Sequence, residues 1–118
     1  MLQQLFGKRN DSGVKTMTVA ELHSRLEANE QLIVVDVRSS EEYAYDGHIA
    51  GSRLLPLPML SMRVGELPQD RPIACVCRSG NRSQVACEML ARQGFTNVYN
   101  VQGGLIAWRR AGFETHNG

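Results

Sequence analysis

Several features that would fix a protein's class are missing from these 118 residues. No apolar segment approaches the roughly 20 residues that a membrane span needs. The opening stretch, MLQQLFGKRNDSG, has neither the apolar core nor the small-residue cleavage site of a signal peptide. No sign of charge dominates: 13 Lys and Arg against 12 Asp and Glu leave a formal net charge of +1. That balance argues against nucleic acid or a membrane surface as partner, so any basic site must be local. Paired cysteines are missing too. The three present, Cys75, Cys77 and Cys87, are odd in number and form no C-x-x-C. Neither a disulfide framework nor a structural zinc site is expected, and no metal is. Cys75 and Cys77 are two apart, which on a strand puts them on one face, a poor geometry for bridging. There is no internal repeat and no low-complexity tract. These absences describe a cytoplasmic protein with reduced thiols.

What remains suits one domain. A hydrophobic fraction of 42% and a charged fraction of 21% are ordinary for a globular chain. A chain of this length buries about two-thirds of its unfolded surface without staples. Residues 1–14 read as a poorly ordered, polar lead-in, and 15–118 as the domain. TVAELHSRLEAN predicts a helix, with Thr18 and Glu21 spaced as a capping box and Val19, Leu22 and Leu26 on one apolar face. LIVVDV and PIACVC are β-branched, apolar runs that suit parallel strands covered on both faces. A helical turn and glycine-bounded loop follow in SSEEYAYDGHIAGS. RLLPLP is extended at most, because proline bars a central strand. MLSMRVGEL suggests a short helix. SQVACEMLARQG predicts a helix with Val85, Ala86, Met89 and Leu90 inward, ending at Gly94 with Phe95 packed behind it. NVYNV is a third strand, and LIAWRRAG a last helix that stops at Gly112. Alternating strands and helices make the fold α/β, a mostly parallel central sheet of about five strands with helices on both faces. In such sheets ligands bind beyond the carboxyl ends of the strands.

Cys77 lies at that edge. It ends PIACVC, and a helix is expected to start near Ser83, so Arg78, Ser79, Gly80, Asn81 and Arg82 must turn sharply between them. A short loop entering a helix turns unpaired N–H groups inward. Together with the helix dipole they form an anion nest. A thiol held there is favoured as thiolate. Arg78 and Arg82 add positive charge. The predicted site is therefore a nucleophilic Cys77 with Arg78, Ser79, Gly80, Asn81, Arg82 and Ser83 binding an anionic substrate. Cys75, inside a strand, and Cys87, inside a helix, read as small buried hydrophobes. Cysteinyl-phosphate hydrolysis and sulfane-sulfur transfer both fit such a loop.

CRSGNRS resembles the active-site loop of rhodanese-like sulfurtransferases. VVDVRSSEEY, GHIAGS and VQGGLIAW resemble three further segments of that family, in the same order. The resemblance spans about residues 16–114. Cysteine-dependent phosphatases have one residue more between cysteine and arginine, and tyrosine phosphatases commonly have histidine where this chain has Val76. The shorter ring suits one extra sulfur atom better than a phosphoryl group. The resemblance implies a rhodanese-like fold and a persulfide on Cys77. It implies a small anionic sulfur donor such as thiosulfate, a thiol or protein-thiol acceptor, and no cofactor. It also implies that Asp36, at the end of LIVVDV, braces the loop through its amides or an arginine. Arg38, Glu41 and Glu42 read as a local ion-pair group, His48 as structural, and His23 and His116 as surface residues. Trp108, Gly103 and Gly104 read as packing residues and Arg109 and Arg110 as a solvated face, while Tyr43 and Tyr45 either edge the pocket or cover the sheet. The alternatives are a non-catalytic docking or regulatory module, and a cysteine-dependent phosphatase or arsenate reductase.

Overall fold

The computed structural model describes residues 13–117. Five strands form one sheet: β1 (Val14–Met17), β2 (Ile33–Asp36), β3 (Arg53–Leu54), β4 (Ile73–Val76) and β5 (Val98–Val101). Their spatial order is β1-β5-β4-β2-β3, and all four pairings are parallel. Five α-helices connect them: α1 (Val19–Glu27), α2 (Ser40–Tyr45), α3 (Leu60–Arg63), α4 (Asn81–Arg92) and α5 (Gly104–Arg110). The expected α/β architecture and strand count hold.

Every residue of β2 and β4 is buried, which is why these runs are apolar throughout rather than alternating. Ile33, Val35, Ile73 and Cys75 point to the face covered by α3 and α4. Val34, Ala74 and Val76 point to the face covered by α1 and α5. On the second face Trp108 packs with Leu22 and Leu105, and its indole N–H donates to the Glu114 carbonyl at 2.8 Å. The packing role expected for Trp108 is the one it has. Phe95 is likewise buried behind Gly94, its N–H bonded to the Leu90 carbonyl at 3.1 Å.

The predicted capping box starts α1. Thr18 accepts from the Glu21 N–H while Glu21 accepts from the Thr18 N–H. Three local expectations differ. β1 went unanticipated because VKTM is short and its two middle residues are exposed, so no alternation shows. Val14, placed in the lead-in, is buried at the start of this strand and Gly13 is an exposed turn residue before it; the rest of the lead-in reading falls on residues 1–12, outside the described ones. The helix after Cys77 begins at Asn81, before Ser83, and its inner stripe is Ser83, Ala86, Cys87 and Leu90. Val85 falls off that stripe and is 46% exposed. MLSMRVGEL is a broken helix, α3 flanked by 3-10 turns at Leu57–Met59 and Val64–Glu66, with Gly65 in the second of them.

The topology creates one crevice. β2 leads outward to β3 on one side and β4 outward to β5 on the other, so the chain reverses direction between β2 and β4. Ligands in open α/β sheets bind beyond the carboxyl ends of strands at such a switch point. Asp36 ends β2 there, and Cys77 follows the last residue of β4.

Candidate functional site

The loop from Cys77 to Asn81 is held from behind. The N–H groups of Leu105 and Ile106, at the start of α5, donate to the carbonyls of Cys77 and Arg78 at 2.9 and 3.1 Å. That approach requires glycine at 104, since a Cβ there would lie 2.3 Å from the Cys77 carbonyl oxygen. Gly80, with φ 110°, makes the reversal into α4 that a side chain would oppose.

With its carbonyls turned toward α5, the loop turns its amides toward sulfur. The Gly80 N–H donates to Cys77 Sγ at 3.1 Å and the Ser83 N–H at 3.4 Å. Ser83 Oγ lies 3.3 Å from Sγ. Burial pushes the Cys77 thiol up. Hydrogen bonds from Ser83 and from the amides of Gly80 and Ser79 outweigh it, so the net shift is downward. This is the amide nest expected from the sequence. The N–H groups of Asn81 and Arg82 belong to the first turn of α4, which a helix cannot satisfy internally.

The two arginines divide. The Arg78 side chain is exposed beside Cys77 and makes no hydrogen bond or ion pair among the described residues. Ser79 and Asn81 are exposed as well. Arg82 is engaged: its Nη1 and Nη2 reach the two carboxylate oxygens of Glu42 at 2.7 and 2.8 Å. The Arg82 guanidinium, with the Ser39 amide behind it, holds the Glu42 carboxyl at about 2. Glu42 also accepts from the Ser39 N–H, capping α2. One carboxylate therefore anchors the loop to the start of the helix that follows β2.

That finding corrects the reading of Asp36. It is fully buried, but its carboxylate is spent on Arg38: Arg38 Nε donates at 2.9 and 3.1 Å, Nη2 at 2.7 Å and the backbone N–H at 3.1 Å. Arg38 also reaches the Gly47 carbonyl at 2.8 Å. Asp36 receives no loop amide. The reason is local: two residues along an extended chain bring Arg38 onto the same side as Asp36, and a buried carboxylate takes the nearest guanidinium. Glu42, read as part of a local group, is the loop's real acidic partner.

His48 is structural. Its Nδ1–H donates to the Tyr43 carbonyl at 2.9 Å, its ring stacks on Tyr43, and its backbone pairs with His116. Tyr43 donates its hydroxyl to the Ser52 carbonyl at 2.7 Å, which assigns it to packing, while Tyr45 is exposed. His23 is half-buried rather than on the open surface, stacked on Phe113 beside a cavity of about 460 Å³ lined also by Trp108, on the sheet face opposite Cys77. Among the described residues no cluster of His, Cys, Asp and Glu could hold a metal, and no helix is long and apolar enough to cross a membrane.

Sequence reasoning missed Asn100. It sits on β5 facing α4, with its carboxamide oxygen 2.5 Å from Ser83 Oγ and its Nδ2 at 3.1 Å from both the Gly80 carbonyl and Gln84 Oε1. An asparagine inside the apolar run VYNV was the available signal.

The Rhodanese-like domain family model matches residues 18–111. A sulfurtransferase of Allochromatium vinosum is 42% identical over 91 residues, 77% of this chain and 84% of that protein. Thiosulfate sulfurtransferase GlpE of Shewanella oneidensis is 36% identical over 100 residues, 85% of this chain and 97% of that one. The crystal structure of a rhodanese-related protein from Thermoplasma volcanium superposes with a TM-score of 0.78 at 31% identity, covering 86% of this chain and 97% of that one.

Proposed function

The chain belongs to the rhodanese-like domain family, and on that premise we propose that it transfers a sulfane sulfur from a small anionic donor to a thiol acceptor through a persulfide on Cys77. Relatives named sulfurtransferase support the reaction class. The observation that carries the mechanism is the convergence of the Gly80 and Ser83 amides on Cys77 Sγ.

Cys77 thiolate attacks the outer sulfur of a donor such as thiosulfate. An S–S bond forms to Sγ, the donor's own S–S bond breaks, and sulfite leaves with the electron pair. Exposed Arg78 meets the incoming anion at the mouth. The terminal sulfur keeps one negative charge, which the amides of the loop and the first turn of α4 stabilise, as an oxyanion hole does for oxygen. An acceptor thiolate, from a small molecule or a protein, then attacks the terminal sulfur and frees Cys77. The cycle is ping-pong and calls on no cofactor.

Intact mass after incubation with thiosulfate tests this reading. Wild type gains the mass of one sulfur atom and releases one sulfite, and cyanide removes the added mass. A Cys77→Ser variant that still gains sulfur overturns the assignment, as does a wild type that never does.

A further inference from the structure

We propose that Asn100 is a positioning residue that decides where negative charge rests during sulfur transfer, acting through the single hydroxyl proton of Ser83. The inference deepens the sulfurtransferase reading and in its catalytic half rests on it.

The geometry fixes the direction of every hydrogen bond in a chain that is buried at Ser83 and partly buried beyond it. Gln84 Nε2 donates to the Glu88 carboxylate at 3.1 Å. A carboxylate accepts only, so Gln84 must turn its oxygen toward Asn100. Asn100 Nδ2 donates to that oxygen and to the Gly80 carbonyl, which also accepts only. The Asn100 carbonyl oxygen therefore faces Ser83 and claims its hydroxyl proton at 2.5 Å. Ser83 is fully buried, and its Oγ has no third partner among the described residues. With its proton given to Asn100, Ser83 offers lone pairs to Cys77, and the remaining contact is S–H donating to Oγ at 3.3 Å. The chain runs from thiol to hydroxyl to carboxamide to carboxamide to carboxylate, each group donating to the next. Bonds aligned in this way polarise one another.

This arrangement suits a neutral Sγ and opposes a charged one. When Cys77 ionises, the Ser83 hydroxyl must either turn to sulfur, leaving the buried Asn100 oxygen without a donor, or stay and face the thiolate with lone pairs. Either course costs free energy. In the persulfide the charge sits on the outer sulfur, about 2 Å farther out. The inner sulfur is then neutral, and the Ser83–Asn100 bond is undisturbed. Asn100 therefore disfavours the free thiolate relative to both the thiol and the sulfur-loaded enzyme, and so drives loading. The amides that bond Sγ counter this by keeping the thiolate accessible.

Other charged and titratable groups lie on the elements around the site, but none bonds Ser83 Oγ. Arg78 lies on the loop. Arg82 on α4 is tied to Glu42 of α2, Asp36 on β2 is tied to Arg38, and Arg63 and Glu66 beside α3 pair with each other. Cys75 on β4 is hydrogen-bonded to Cys87 on α4. Opposite Ser83, β5 presents only the Asn100 amide.

Two measurements on the full chain test the proposal. In wild type, the side-chain ¹³C signal of the Asn100 carboxamide is followed against pH beside the iodoacetamide alkylation rate of Cys77. The signal is expected to titrate with the midpoint of Cys77; a signal that stays flat through that titration overturns the proposal. Asn100→Val, a strand-compatible change that deletes the acceptor, is then placed in wild-type and Ser83→Ala backgrounds. In wild type it should lower the alkylation midpoint by about half a unit to one unit. At a pH above that midpoint it should also reduce the ratio of sulfur-loaded to free enzyme, at a fixed thiosulfate-to-sulfite ratio, by about three- to tenfold. In the Ser83→Ala background both effects should vanish. An upward shift, or an equal shift in both backgrounds, overturns the proposal, and if the variants do not fold the wild-type titration decides alone. Failure of the sulfurtransferase reading looks different: Asn100 would follow Cys77, yet no sulfur would load.

Discussion

Cys75 and Cys77 stand two residues apart, point to the same side of the sheet and are equally hidden, at 0% and 1% exposure. Their chemistry is opposite. Cys75 is pushed well up by its hydrogen bond with Cys87 and by burial, and it stays a thiol. Cys77 is pulled down by Ser83 and by the amides of Gly80 and Ser79, despite its own burial. Burial alone does not make the difference. Cys75 lies inside β4, where backbone N–H groups are committed to the ladders with β2 and β5. Cys77 lies just past the end of β4, where the chain has turned its carbonyls toward α5 and its amides are free for sulfur. One step beyond a strand end separates a packing residue from a nucleophile.

The sharpest way to break this comparison is Cys77→Ser, which should lower sulfur transfer at least about 1000-fold, because a hydroxyl in the same amides is far less ionised than a thiol. Circular dichroism should show the fold retained. If transfer survives, or follows Cys75 instead, the contrast is misassigned.

The donors can be disturbed while the thiol is kept. Gly104→Ala would place a Cβ 2.3 Å from the Cys77 carbonyl oxygen and 2.6 Å from that of Arg78, so the loop must move off α5. Activity should fall about 10- to 100-fold and stability by about 2 kcal/mol or more. Calorimetry with the alkylation pH profile checks both, and the Cys77 midpoint should rise toward the free-thiol value of about 8.5.

Glu42→Gln releases Arg82 from the far side of the loop and should lower kcat/KM about three- to tenfold. The pH dependence has a definite sign. Glu42 titrates at about 2 when folded against a model value of 4.5, so its contribution is full above 4.5 and is lost as pH falls from there toward 2. Melting temperatures measured between pH 5 and pH 2.5 should fall more steeply for wild type than for Glu42→Gln. Parallel curves would show that the pair anchors nothing.

The smallest effect belongs to the other side of the comparison. Cys75→Ser should leave sulfur transfer within about twofold and cost about 1 kcal/mol of stability, the expected size for a hydroxyl placed in an apolar site beside one thiol partner. Iodoacetamide should leave Cys75 of the folded wild type unmodified at neutral pH.

The site's contiguous part was legible because its signal is contiguous. A cysteine closing an apolar strand, a glycine and a helix start occupy seven residues, and the chemistry of each acts on its neighbours. The sheet was legible for a similar reason, since LIVVDV and PIACVC could be nothing but covered strands. Contacts made by folding itself were not legible. Arg82 and Glu42 are forty residues apart, and the local spacing marks Glu42 only as the capping partner of Ser39. Asp36 was read across the crevice when its partner stood two residues along its own chain. Asn100 looked like a polar residue in a strand, and only the parallel register beside β4 brings it to Ser83. β1 escaped because a four-residue edge strand with two solvated residues has no period to detect.

The clamp on the Cys77 loop also has a consequence in time. The Leu105 and Ile106 amides that hold it, and the β5 strand that carries Asn100, all follow the cysteine in sequence. β1, among the first described residues, cannot join the sheet until β5 exists, because β5 is the strand it pairs with, Val14 beside Val98. Such distant pairings make folding slow compared with helical proteins of this size. During synthesis, which proceeds from the N-terminus, Cys77 emerges before any of the groups that sharpen it. The nascent thiol is therefore an ordinary one, and its reactivity switches on only when the last strand and helix close the sheet.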